Sequence, residues 1–143
     1  MADRKKGSTK LRQSSDPIMP RILIIEDDEA LRGELVELFG ALGATAIGVR
    51  DGAGAEAACC EQAFDLVLCD YKLERENGLD VLRGLARCAP HALEADIYLM
   101  TGHLDLTRAA REEIACSTKG LLMKPVRAAM LRQLVAASLD RAC

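Results

Sequence analysis

Rings are scarce in this sequence: there is no tryptophan, and Phe39, Phe64, Tyr71 and Tyr98 are the only aromatic residues among 143. The core must therefore be built from Leu, Ile, Val, Ala and Met. With 50% of its residues hydrophobic, the chain has enough material for one domain with a real interior. Long apolar runs are missing too. No stretch approaches the ~20 residues needed to span a bilayer, and the N-terminus has no apolar segment of the kind a secretory signal carries. Membrane partners are thus not expected, and a cytoplasmic location is. Cysteine is present (Cys59, Cys60, Cys69, Cys88, Cys116, Cys143) but without C-x-x-C spacing or a Cys/His cluster. Those residues are expected to be small, buried or half-buried hydrophobes rather than metal or redox groups. Basic clusters are confined to the first twenty residues (Arg4, Lys5, Lys6, Lys10, Arg12), and the chain as a whole carries a formal charge of -3. An acidic body argues against a nucleic-acid surface, which needs clustered positive charge to displace counterions.

Residues 1–19 are polar and basic, with Gly7, Ser8, Ser14, Ser15 and Pro17, and read as a disordered lead-in to a folded domain over residues 20–143. Met19-Pro20-Arg21 would itself serve as a start for that domain. From Arg21 onward strands and helices alternate. Strands are expected at Arg21–Ile25, Thr45–Val49, Asp65–Asp70, Asp96–Met100 and Gly120–Met123. Helices are expected near 28–42, 53–63, 79–88, 105–116 and 127–141. In the first, Leu31, Leu35, Leu38, Phe39 and Leu42 share a face, and Gly43 stops it. Five such units in a row imply a parallel sheet with helices on both faces.

The strands end on charges. Glu26-Asp27-Asp28 follows Arg21-Ile22-Leu23-Ile24-Ile25, Asp70 follows Leu66-Val67-Leu68-Cys69, and Lys124-Pro125 follows Gly120-Leu121-Leu122-Met123. An apolar run that stops abruptly at a charge is a buried parallel strand reaching solvent at its carboxyl end, the edge where open α/β sheets bind ligands. If these strands are neighbours, several carboxylates and one ammonium converge, and such a site suits magnesium. Capping of the following helix accounts well for Asp28 and Glu29. It does not explain why acids begin at the strand end, so Glu26 and Asp27 read as metal ligands. Asn77-Gly78 lies a fixed distance after Asp70, where Gly78 allows a positive φ or a close backbone approach. Taken singly, Thr101-Gly102 is an ordinary turn with a cap, and Lys124 a surface lysine.

Taken together and in order, Glu26/Asp27, Asp70, Gly78, Thr101 and Lys124-Pro125 resemble the receiver domain of two-component response regulators, from Pro20 to Leu139. The resemblance implies a doubly wound five-stranded parallel sheet of order 2-1-3-4-5, a flavodoxin-like fold whose switch point lies between strands one and three. It implies that Asp70 is the phosphoacceptor. Asp27 is then the direct Mg2+ ligand and Glu26 its partner, with Asp70 and the backbone carbonyl of Lys72 completing the metal site. Thr101 matches the hydroxyl that moves toward the phosphoryl group, and Lys124 the lysine that pairs with it. A histidine kinase or histidine phosphotransfer protein, or a small acyl phosphate, would be the donor. A downstream protein target would read a shift of helix four and strand five. The chain would then catalyse only its own phosphorylation and dephosphorylation. Whether two copies pair through helix four, strand five and the last helix is left open. Asp-Tyr-Lys-Leu and Leu-Leu-Met-Lys-Pro-Val look like receivers serving hybrid sensor kinases, and the residues after Leu139 are too few for an effector domain.

Some positions depart from that pattern. Leu121 stands where the family usually has an aromatic switch residue, and Glu74 where a proline is common. Lys72 and His103 stand at the site entrance, where side chains favour or obstruct the hydrolytic water; Lys72 would also compete for the carboxylates when metal is absent. The stretch Lys72-Leu73-Glu74-Arg75-Glu76 is expected to be a solvated face, and His91 a surface histidine. Two other readings compete with a phosphorylated receiver. One is a receiver-like interaction module that ignores phosphorylation, supported by Leu121. The other is a flavodoxin-like enzyme or nucleotide binder, which would want a glycine-rich phosphate loop where Glu26-Asp27-Asp28 stands.

Overall fold

The computed structural model describes residues 19–102 and 105–142. Strands β1 (Arg21–Ile25), β2 (Thr45–Val49), β3 (Leu66–Asp70), β4 (Asp96–Thr101) and β5 (Gly120–Met123) alternate with helices α1 (Glu29–Ala41), α2 (Gly52–Glu61), α3 (Gly78–Cys88), α4 (Arg108–Ser117) and α5 (Ala128–Ala142). The strands form one parallel sheet in the order β2-β1-β3-β4-β5, as the sequence led one to expect. The reading of residues 1–19 as a tail falls outside the described residues apart from Met19, which is exposed.

Residues alternate between the two faces of a strand, and here both faces are covered. Leu23, Ile25, Val67, Cys69, Ile97 and Leu99 pack with α2, α3 and Ile114 of α4. Ile22, Ile24, Leu66, Leu68 and Met100 pack with Leu35 and Phe39 of α1 and Leu131, Leu134 and Val135 of α5. Continuous apolar strands are the consequence: β3 is buried at every position. Among the described residues no helix is long and apolar enough to cross a membrane.

Most boundaries fall within one residue of expectation, α2 ends at Glu61 rather than 63, and two further differences have a local cause. α4 starts at Arg108 rather than Asp105 because Thr107 caps it, its Oγ1 accepting from Ala110 N at 3.0 Å. A 3-10 turn over Pro90–Glu94, not anticipated, fills the connection to β4; proline suits its first position and Ala92 is its buried residue. The cysteines correct the sequence reading in part. Cys59 and Cys69 are buried, but Cys60, Cys88 and Cys116 are exposed. α2 buries only Gly52, Ala55 and Cys59, so the adjacent Cys60 turns outward, and Cys116 lies on α4, which buries only Ile114.

Candidate functional site

Parallel pairing in register carries the strand ends to one edge of the sheet. Ile25 pairs with Cys69 and Asp70 with Met100, so Glu26 follows β1 beside Asp70, the last residue of β3. Thr101, buried, ends β4 opposite Met123, and its carbonyl accepts from Lys124 N at 2.8 Å. Carboxylate oxygens of Glu26, Asp27 and Asp70 all lie within 4.8 Å of one another. Glu26 is wholly buried and Asp70 is 5% exposed, while Asp27 is half-buried. Three carboxylates this close repel one another strongly unless a cation stands among them, and an all-oxygen donor set fits a hard divalent ion.

Lys124 occupies part of that role. Its Nζ donates to Glu26 Oε1 and Asp70 Oδ2, each at 3.1 Å. The peptide bond between Lys124 and Pro125 is cis. Burial pulls the ammonium's pKa down, but its hydrogen bonds to Glu26 and Asp70 outweigh that and hold it above the ordinary value. Glu26 is shifted the other way for a carboxylate. Burial, with the nearby Asp70 charge, pushes it up to about 7, against the opposing pull of Asp28 N–H and Lys124. Lys72 does not compete for the carboxylates as the sequence suggested. Its side chain is exposed, and only its backbone N–H reaches Asp70, donating to Oδ1 at 3.2 Å.

The loop after Asp70 is folded back on itself. Leu73 N donates to Glu76 O at 3.0 Å and Gly78 N to Tyr71 O at 2.6 Å, closing a bridge between Lys72 and Asn77 that leaves the Lys72 carbonyl out of its bonding. Gly78 serves close approach rather than a positive φ: a Cβ there would lie 2.9 Å from Leu99 Cδ2 and 3.1 Å from the Asp70 carbonyl oxygen. The expected solvated face holds only in part. Leu73 is buried in the core, and Glu76 Oε2 accepts from Gly52 N, the first residue of α2, at 2.9 Å. Glu74 and Arg75 are exposed, with Glu74 4.0 Å from Arg50. Leu121 is half-buried against the cluster that contains Leu99 and Ile114. His103 lies outside the described residues. His91 is exposed as expected, its ring nitrogen 2.8 Å from the Cys59 carbonyl.

Asp28 caps α1 as read, accepting from Leu31 N at 3.0 Å. Sequence reasoning passed over a second cap, the box in which Asn77 accepts from Asp80 N and Asp80 accepts from Asn77 N. The Asn77-x-x-Asp80 spacing was the available signal. Nothing local announces the reach of Glu76 to α2, which depends on tertiary placement.

Comparison with known proteins identifies the family and the fold. A family model described as response regulator receiver domain matches residues 22–136. The Regulator of RpoS of Escherichia coli K12 is 31% identical over 107 residues, taking in 75% of this chain and 31% of that protein. The Response regulator protein PmrA of Pseudomonas aeruginosa is 35% identical over 101 residues, 71% of this chain and 41% of its own. The chain thus spans less than half the length of these relatives. Among solved structures, a response regulator receiver domain (CheY-like) from Methylobacillus flagellatus aligns with a TM-score of 0.73 at 26% identity, covering 84% of this chain and 98% of that one. A receiver domain protein (CheY-like) from Methanospirillum hungatei JF-1 aligns with a TM-score of 0.72 at 22% identity over 87% of this chain and 96% of its own, a likeness of fold.

Proposed function

The chain belongs to the response regulator receiver domain family of two-component signalling, and from that premise we propose that it accepts a phosphoryl group on Asp70 in an Mg2+-dependent reaction. The observation that carries this reading is the gathering of Glu26, Asp27 and Asp70 within 4.8 Å, with Lys124 Nζ 3.1 Å from two of them. Glu26, Asp27 and Asp70, with the Lys72 carbonyl, would hold the Mg2+, which when bound supplies positive charge for the equatorial oxygens of the phosphoryl group.

The rest is done by the chain itself. A carboxylate oxygen of Asp70 attacks phosphorus in line, an O–P bond forms, and the bond to the donor's imidazole nitrogen or acyl oxygen breaks as that group leaves. Lys124 is held in its charged form, ready to pair with a phosphoryl oxygen in place of a carboxylate. Thr101, at the end of β4, stands one residue beyond the partner of Asp70 and is the hydroxyl donor in this reading. Lys72, exposed beside Asp70, flanks the entrance for the water that later returns Asp70 to its free state. The donor would be a histidine kinase or histidine phosphotransfer protein, the setting cytoplasmic, and the output a downstream protein target reading β4, α4 and β5.

Intact-mass spectrometry after incubation with acetyl phosphate tests the reading. A gain of one phosphoryl group is expected, absent in Asp70→Ala and absent when Mg2+ is omitted. A specific observation favours the interaction-module reading in one respect: Leu121 offers no ring to move between exposed and buried positions. If neither acetyl phosphate nor a histidine kinase labels the wild type, that reading replaces the first.

A further inference from the structure

Arg32 is the only basic residue in α1 and stands in its first helical turns, where the helix dipole disfavours a cation. Its side chain has a destination. The guanidinium NH1 donates to the backbone carbonyl of Glu26 at 2.9 Å. The arm reaches that carbonyl by lying across Gly48 of β2: a Cβ at Gly48 would fall 2.7 Å from Arg32 Cγ, 3.2 Å from Arg32 Cδ and 3.1 Å from Val36 Cγ2. Glycine in the middle of a strand weakens it and often marks a close approach. Here the close approach is that of the arginine arm.

We propose that Arg32, admitted by Gly48, is a positioning residue for the acidic pair, and this rests on the reading of Glu26 and Asp27 as metal ligands. The Glu26 N–H donates to Val49 O at 3.0 Å, so with Arg32 on its carbonyl both backbone polar groups of Glu26 are held from the β2 side. Asp27 follows that clamped residue and precedes Asp28, which is itself fixed as the α1 cap. The two carboxylates are thereby kept together against their mutual repulsion before a cation arrives. A hydrogen bond that orients a ligand from outside the coordination sphere is worth about 10–100-fold in metal affinity. The guanidinium's own charge acts in the opposite sense, repelling a cation, so the direction of the effect separates positioning from simple electrostatics.

Isothermal titration calorimetry of Mg2+ into the full chain provides the test, with thermal unfolding in Mg2+-free buffer as the structural control. Arg32→Met keeps the aliphatic arm over Gly48 and removes the donor; it should weaken Mg2+ binding about tenfold, and Arg32→Lys should recover part of the loss. Gly48→Ala displaces the arm without touching the guanidinium and should weaken binding in the same way. The double variant Arg32→Met/Gly48→Ala should bind no more weakly than the weaker single one, since both changes break the same contact. Unchanged or tighter Mg2+ binding by Arg32→Met overturns the proposal, and so do fully multiplicative losses in the double variant. Failure of the wild type to bind Mg2+ removes the metal reading itself and the proposal with it, an outcome visible before any variant is made.

Discussion

β3 and β5 both deliver a residue to the same crevice, yet β3 is buried at all five positions and β5 at none. The helices that follow the pattern of their strands differ in the same sense. α3 buries Gly78, Leu79, Val81, Leu82, Gly84 and Leu85, whereas α4, beside β5, buries only Ile114. The carboxylates of the β1 and β3 ends therefore stand on a densely packed frame, whereas β5, with Leu121, and α4 are thinly buried. Low local burial means low local stability, and elements that move in a switch are drawn from that end. Under the function proposed above, the thinly packed α4 and β5 are the elements suited to a conformational response.

Substitution of equivalent leucines puts the contrast to its largest test. Leu68→Ala empties a fully buried site between Ile24 and Tyr98 and should cost about 2–5 kcal/mol. Leu121→Ala, half-buried at the sheet edge, should cost only about 1 kcal/mol. Chemical denaturation of both variants measures the difference, and equal losses would remove the asymmetry.

Glu26 supplies the next effect. Its carboxyl is pushed up to about 7 in the fold from an ordinary 4.5, so between those pH values the folded chain holds a proton the unfolded chain has released. Stability in Mg2+-free buffer should be greatest below that window and fall as pH rises through it, by on the order of 3 kcal/mol. In Glu26→Gln, which cannot ionise, this fall should disappear. A wild-type denaturation midpoint that rises with pH across the window would contradict the buried-carboxylate account.

Two glycines at the crevice extend the comparison on a smaller scale. A methyl at Gly78 meets Leu99 at 2.9 Å and the Asp70 carbonyl at 3.1 Å, while one at Gly102 meets nothing within 4 Å among the described residues. Gly78→Ala should cost about 1–3 kcal/mol by overpacking and slow phosphorylation by shifting the Asp70 backbone. Gly102→Ala should leave both nearly unchanged. Melting temperature and labelling rate with acetyl phosphate read the pair side by side.

Much of this frame was legible in the sequence because the relevant signals are local. Buried parallel strands read as apolar runs, and the acids of β1 and β3 stood out by interrupting them. The ordered motif then supplied the sheet order and the grouping of Glu26, Asp27, Asp70 and Lys124. What stayed hidden depends on contacts between distant segments: Glu76 reaching α2 and Arg32 lying over Gly48. No periodicity encodes these, since each is a long side chain finding a backbone or charge brought near by the fold. The outward cysteines were missed for a related reason, as residue type predicts burial poorly on helices with narrow buried faces.

The smallest expected effect lies where the two sides meet. Arg83 on α3 donates to Asp80 Oδ1 at 2.9 Å and to Glu113 Oε2 of α4 at 2.6 Å, tying the densely packed helix to the thinly packed one. The groups are about half exposed, so the clasp contributes little to global stability; Arg83→Ala should cost about 0.2–1 kcal/mol. Its local effect should be larger in proportion, because α4 has little other than Ile114 to anchor it. Hydrogen–deuterium exchange should therefore accelerate in α4 on Arg83→Ala and stay unchanged in β3 and α3, with raised salt reproducing the effect in the wild type. Exchange that quickens equally in α3 would mean that the two helices open as one unit, and the contrast between a densely and a thinly packed helix would not carry over to their opening.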